Sequence, residues 1–158
     1  MSPPDEPFFQ TFQALQPEVD VVILPPEQPV DARFADRAEA IASARGTAAV
    51  VRALLTESGL DDRPRTEHER WDRQQGDAHL HVSRVRVDHA DSFTATESLL
   101  RVGDVLDGGG WAPVPVDSPT PWIRATSPAG QRADVAVERS QLVVTITSAA
   151  LRLEEPPR

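Results

Sequence analysis

At 158 residues, 39 % hydrophobic and 26 % charged, the chain has the size and composition of one globular domain with a single core. It contains no Cys, Lys, Asn or Tyr, which excludes disulfides, thiol catalysis, thiolate zinc, Schiff-base chemistry, a phosphate-loop lysine and a phenolic acid or base. The net charge of −9 (pI about 4.8) opposes a phosphate backbone, and the sixteen arginines alternate with carboxylates, as in DDRPRTEHERWDR, rather than massing on one stretch.

The first 18 residues form a Pro/Phe-rich arm carrying Phe8, Phe9, Phe12 and Leu15, three of the five phenylalanines of the chain. That apolar density predicts docking, on the chain's own domain or on a partner. No basic stretch is followed by a long apolar run, so neither a signal segment nor a membrane span is expected, and a cytoplasmic location is the corresponding reading. Lys, Asn and Tyr have AT-rich codons, and their absence points to a GC-rich bacterial genome.

The domain itself is expected over residues 19–150. A first strand, EVDVVIL, places Val21 and Ile23 on the face of Val19 and ends at Pro25-Pro26. Asp31 is then positioned to cap a long helix with apolar residues at Phe34, Ala38, Ile41, Val50, Val51, Leu54 and Leu55, with a kink point at Gly46-Thr47 and a stop at Gly59. A hairpin follows, RTEHERWDR and AHLHVSRVRVD, turning at QQGD. Asp91 or Ser92 caps a second helix whose apolar side is Phe93, Leu99, Leu100, Val102, Val105 and Leu106, and Gly108 to Gly110 end it. The glycine run is read as a helix stop because phosphate cradles open helices rather than close them. After the loop APVPVDSPTP, three strands are expected at WIRATS, QRADVAVER and LVVTITSA, and residues 151–158 form a polar tail. The order β-α-β-β-α-β-β-β predicts an α+β fold, a mostly antiparallel sheet with two main helices packed on one face.

The hairpin holds the main candidate for metal chemistry. In AHLHVSRVRVD, Leu80 and Val82 have one parity and Val85 and Val87 the other, so a bulge near Ser83-Arg84 is expected to bring all four to the core and turn His79 and His81 outward. A two-residue turn would put Asp72 opposite His79 and Arg70 opposite His81, with His68 diagonal to His81. His68, Asp72, His79 and His81 are then the ligands of an alternative metal- or small-ligand-binding reading. Arg70 and Arg84 in the same neighbourhood oppose a divalent cation, and a flat sheet face closes poorly around one, so the leading expectation is a solvated hairpin. His89 and Asp91 lie in the loop before the second helix, near Asp88, where the carboxylates would raise the histidine's pKa, but helix capping accounts for these residues more simply. No serine stands in a nucleophile setting.

No cofactor is implied. The leading functional expectation is a non-enzymatic protein-interaction domain of adaptor, chaperone or immunity-type inhibitor class. It would bind another protein, a basic one by charge, without nucleic-acid binding or membrane insertion. The residues expected to touch that partner are Phe8, Phe9, Phe12, Val21 and Ile23 of the arm, which could also extend a partner's sheet, and Trp122 after the proline-rich loop.

Overall fold

In the computed structural model, which describes residues 31–154, the elements run β1 (Arg33–Phe34), α1 (Arg37–Glu57), β2 (Arg65–Arg73), β3 (Ala78–Asp88), α2 (Ser92–Gly108), β4 (Val114–Pro115), β5 (Trp122–Thr126), β6 (Arg132–Glu138), β7 (Gln141–Thr147) and β8 (Leu151–Arg152). This is the expected α+β class. Strands pair in the order β2-β3-β7-β6-β5-β4, all antiparallel. β8 prolongs the line of β7 alongside β3, and β1 lies parallel to β8. The strand expected at 19–24 lies outside the described residues. The tail expected from 151 opens instead with β8, where Leu151 and Leu153 are buried against Ala40 of α1.

Both helices start on a side chain. Asp36, not Asp31, caps α1: its carboxylate accepts from the Glu39 N–H at 2.8 Å while Glu39 accepts from the Asp36 N–H at 3.2 Å. The preceding Arg33–Phe34 is held extended by β8, which removes it from the helix. The helix runs unbroken past Gly46, because Thr47 caps nothing; its buried hydroxyl donates back to the Ser43 carbonyl at 2.9 Å. Asp91 caps α2 through the Thr94 N–H at 2.8 Å, and Gly110, at φ 80°, turns the chain out of it.

The main core lies between the helices and one sheet face. Val51, Leu54, Leu55 and Leu60 from α1 and its exit meet Leu99, Val102 and Leu106 from α2 over Val85, Val87, Val135, Leu142, Val144 and Ile146 of the sheet. Each such side chain contributes about 2 kcal/mol of burial. The sheet face without helices is closed by charge pairing instead. Arg84 meets Glu138 at 3.1 Å, Arg124 and Arg132 share Asp134 at 2.8 and 2.9 Å, and Arg70 holds Asp72 at 2.6 Å.

The hairpin sets which residues belong to which face. Gln74 donates its N–H to the Ala78 carbonyl at 2.7 Å, closing a three-residue loop, Gln75–Asp77, in which Gly76 and Asp77 have φ of 67° and 62°. The resulting register places Trp71 opposite His81 and Asp72 opposite Leu80, one residue away from that of a two-residue turn. β3 pairs with β2 without interruption from His79 to Val87, so no bulge occurs at Ser83-Arg84. The extra residue sits in the neighbouring β7–β8 segment: four residues of β3, from Val82 to His79, face five from Thr147 to Leu151. Ser148 fills that step, donating its N–H to the His81 carbonyl and accepting the His81 N–H on Oγ, both at 2.9 Å.

Loop length is therefore expected to be the sensitive variable. Gly76→Ala, which forces a side chain into a left-handed position, should cost about 1–2 kcal/mol in urea denaturation. Deleting one of residues 75–77 should lower the urea midpoint, because an even loop flips β2 against a β3 that β7 holds in place and turns Trp71 away from His81.

Candidate functional site

Parity within β3 reverses the expected placement of the histidines. His79, His81, Ser83, Val85 and Val87 face the helix layer, while Leu80, Val82, Arg84 and Arg86 share the charged face. His79 and His81 retain only 8 % and 3 % exposure. His68 and Asp72, on the same parity as Leu80 across the pair, lie on the opposite side of the sheet. The sheet thus separates the four ligands of the metal reading into two pairs, and among the described residues no group of three or more His, Asp or Glu is placed to hold an ion.

His81 forms the floor of a cleft of about 680 Å³ between α1 and edge strand β2, walled by Ile41, Ala48 and Trp71 and rimmed by Arg45, Arg52 and Glu69. Its ring meets Trp71 edge-on at 5.2 Å, its Nε2 stands 3.9 Å from Glu69, and its buried Nδ1 has no hydrogen-bond partner among the described residues. Burial lowers its pKa against the opposing pull of Glu69.

His89 is also buried, in the turn between β3 and α2. Its Nδ1 lies 3.1 Å from the Val87 carbonyl, which can only accept, so Nδ1 carries the proton. Its Nε2, 2.8 Å from Ser98 Oγ, then accepts the serine hydroxyl, and Arg101 donates to the same oxygen at 2.9 Å. Burial, with Arg63 and Arg101 nearby, lowers the His89 pKa and outweighs Asp88; this corrects the expected upward shift. Sequence reasoning missed Ser98 because nothing local marks it: it occupies an inner position of α2 among apolar residues. The pair has the composition of a base and a nucleophile, but Ser98 is fully buried and no substrate can reach it. It ties the end of β3 to α2.

The outer face of α2 carries the accessible chemistry. Phe93 and Leu100, both expected inside, are 72 % and 61 % exposed, and Val114 of β4 is 54 % exposed. Positions 93 and 100 lie two turns apart on one side of the helix, opposite Ala95 and Val102. A shallow groove of about 240 Å³ runs between α2 and β4-β5, with Leu100, Pro113, Pro115 and Ile123 as its apolar lining and Asp104 and Asp107 at its edge, whereas Val114, opposite Arg124, turns its side chain to the charged face. The α2 backbone approaches β5 closely at Gly103, where a Cβ would stand 3.2 Å from the Ile123 Cδ1. Of the residues expected to touch a partner, Phe8, Phe9, Phe12, Val21 and Ile23 lie outside the described residues. Trp122 is half-buried on the charged sheet face, its indole N–H donating to Asp134 at 3.2 Å and its ring beneath Arg124 at 5.1 Å. No family model, curated protein or solved structure matches the chain. Among the described residues no helix is long and apolar enough to cross a membrane.

Two buried histidines with lowered pKa values fix the sign of a pH effect. Above the ordinary histidine value of about 6.5 both states are neutral and the full stability is present. Below it the unfolded chain takes up protons that the folded one resists, so stability falls until the folded values are reached. Urea midpoints should drop between about pH 7 and pH 5, and His81→Gln and His89→Gln should each flatten that dependence. Ser98→Ala, which strands the His89 Nε2, should cost about 1–3 kcal/mol at pH 7.

Proposed function

We propose that this chain is a non-enzymatic protein-interaction domain whose binding surface is the outer face of α2 with the adjoining β4. The observation that carries this reading is the exposure of Phe93 and Leu100, with Leu100 lining one groove together with Ile123, Pro113 and Pro115. A helix whose inner positions already fill a core has no folding use for two large apolar residues on its other side, and such patches mark contact sites. The charged sheet face supports the same choice by contrast, since Arg70, Arg84, Arg124 and Arg132 there are paired with Asp72, Glu138 and Asp134. A role of adaptor, chaperone or inhibitor type fits a sealed interior and an accessible apolar stripe.

A second reading, a small ligand in the cleft above His81, is favoured by the orphaned Nδ1 and by the apolar wall with polar groups converging on it. It predicts a small molecule whose thermal stabilisation His81→Gln abolishes and Leu100→Asp leaves intact.

The interaction reading is tested with the full chain as bait in a bacterial lysate of the source. A partner should be retained by the natural chain and by Arg86→Ala on the charged sheet face, and lost with Leu100→Asp. Because Leu100 is exposed, that variant should change stability by no more than about 0.5 kcal/mol. Equal retention by all three would assign binding elsewhere.

A further inference from the structure

Resting on that interaction reading, we infer that the partner presents a cationic amphipathic helix, laid along the α2–β4 groove, and does not add a strand to β4. Two observations separate from the apolar exposure lead there.

One is the rim. Glu97, Asp104 and Asp107 are exposed on the same side of α2 as Phe93 and Leu100, and none forms an ion pair among the described residues. Apolar anchors bordered by three carboxylates match an apolar stripe bordered by Lys or Arg. The same charge argues against the two internal occupants. Residues 1–30 contain five carboxylates, Asp5, Glu6, Glu18, Asp20 and Glu27, and no arginine. A second copy would set this acidic face against an acidic molecule of net charge −9.

The other is the edge. Ala112 and Val116 donate their N–H groups inward to Thr126 and Trp122, and Val114 pairs with Arg124. The positions between them, 113 and 115, are the ones that turn outward, and both are proline. β4 therefore has no N–H to offer an added strand over this stretch. Recognition has to come from side chains, and Phe93 and Leu100, about 10.5 Å apart along the helix axis, match two turns of an incoming helix.

The test uses the full chain and a labelled peptide of about 14 residues, roughly four helical turns, built of Leu and Lys in an i, i+3, i+4 pattern, with a Leu/Glu peptide of the same pattern. Fluorescence anisotropy should show the Leu/Lys peptide binding and the Leu/Glu peptide failing, with affinity falling as salt rises from about 50 to about 300 mM. The combined Phe93→Asp and Leu100→Asp variant should bind at least about tenfold more weakly, although it carries two further negative charges. Milder Leu100→Gln, which keeps the surface uncharged there, should weaken binding in the same direction if the double variant fails to fold. Combined Glu97→Lys, Asp104→Lys and Asp107→Lys should lose the Leu/Lys peptide and gain the Leu/Glu one. No binding of the Leu/Lys peptide, or binding to the Asp variants as tight as to the natural chain, would overturn the inference. If the lysate partner is still lost with Leu100→Asp in that case, the interaction reading stands and only the partner's chemistry is wrong.

Discussion

The structure depends on the unbroken alternation of β3. This strand is paired along its length with β2 on one side and with β7 and β8 on the other, so its side chains take strictly alternate faces. One set, from His79 to Val87, goes under the helices; the other, from Leu80 to Arg86, joins the ion-paired face. Two histidines enter the helix-covered side because Val85 and Val87 must be there. The step in register that relieves the end of the sheet is taken by the neighbouring β7–β8 segment at Ser148, whose side chain and backbone satisfy the His81 backbone.

From that division follow two surfaces of different character. The helix-free sheet face has its own charge complementarity, and even Trp122 is tied into it through Asp134 and Arg124. The outer side of α2 has no such closure. Its inner positions, Ala95, Ser98, Leu99, Val102 and Leu106, complete the core, which leaves Phe93 and Leu100 outside beside unpaired carboxylates. An acidic, apolar, proline-edged surface next to a charge-balanced one is the asymmetry on which the interaction reading rests.

Much of the fold was legible in residue order. The hairpin strands at 65–73 and 78–88 fall where alternation and turn residues put them, and so do the last three strands and the glycine stop of α2. The faces were less legible. Both a two- and a three-residue loop suit QQGD, yet they differ in parity, and parity alone decides whether His68 and Asp72 share a side with His79 and His81. Apolar Leu80 and Val82 favour a bulge within β3; in the folded chain the two lie on the charged face, Leu80 opposite Asp72 and Val82 between Arg70 and Thr147. Likewise, six apolar residues were assigned to one side of α2, although positions 93 and 100 project away from 95 and 102. Ser98 escaped notice because its role depends on His89, nine residues earlier and brought close only by the β3–α2 turn.

The absence of cysteine allows the β2–β3 register to be read directly by paired cysteine substitutions. Glu69 and Ser83 lie opposite each other on the helix-facing side, whereas His68 and Ser83 would oppose each other after a slip of one residue. Under mild oxidation Glu69→Cys with Ser83→Cys should form an intramolecular disulfide, and His68→Cys with Ser83→Cys should not, since their side chains leave opposite faces of the sheet. Efficient cross-linking of the second pair and not the first would contradict the account, bringing His68 and Asp72 onto the face of His79 and His81.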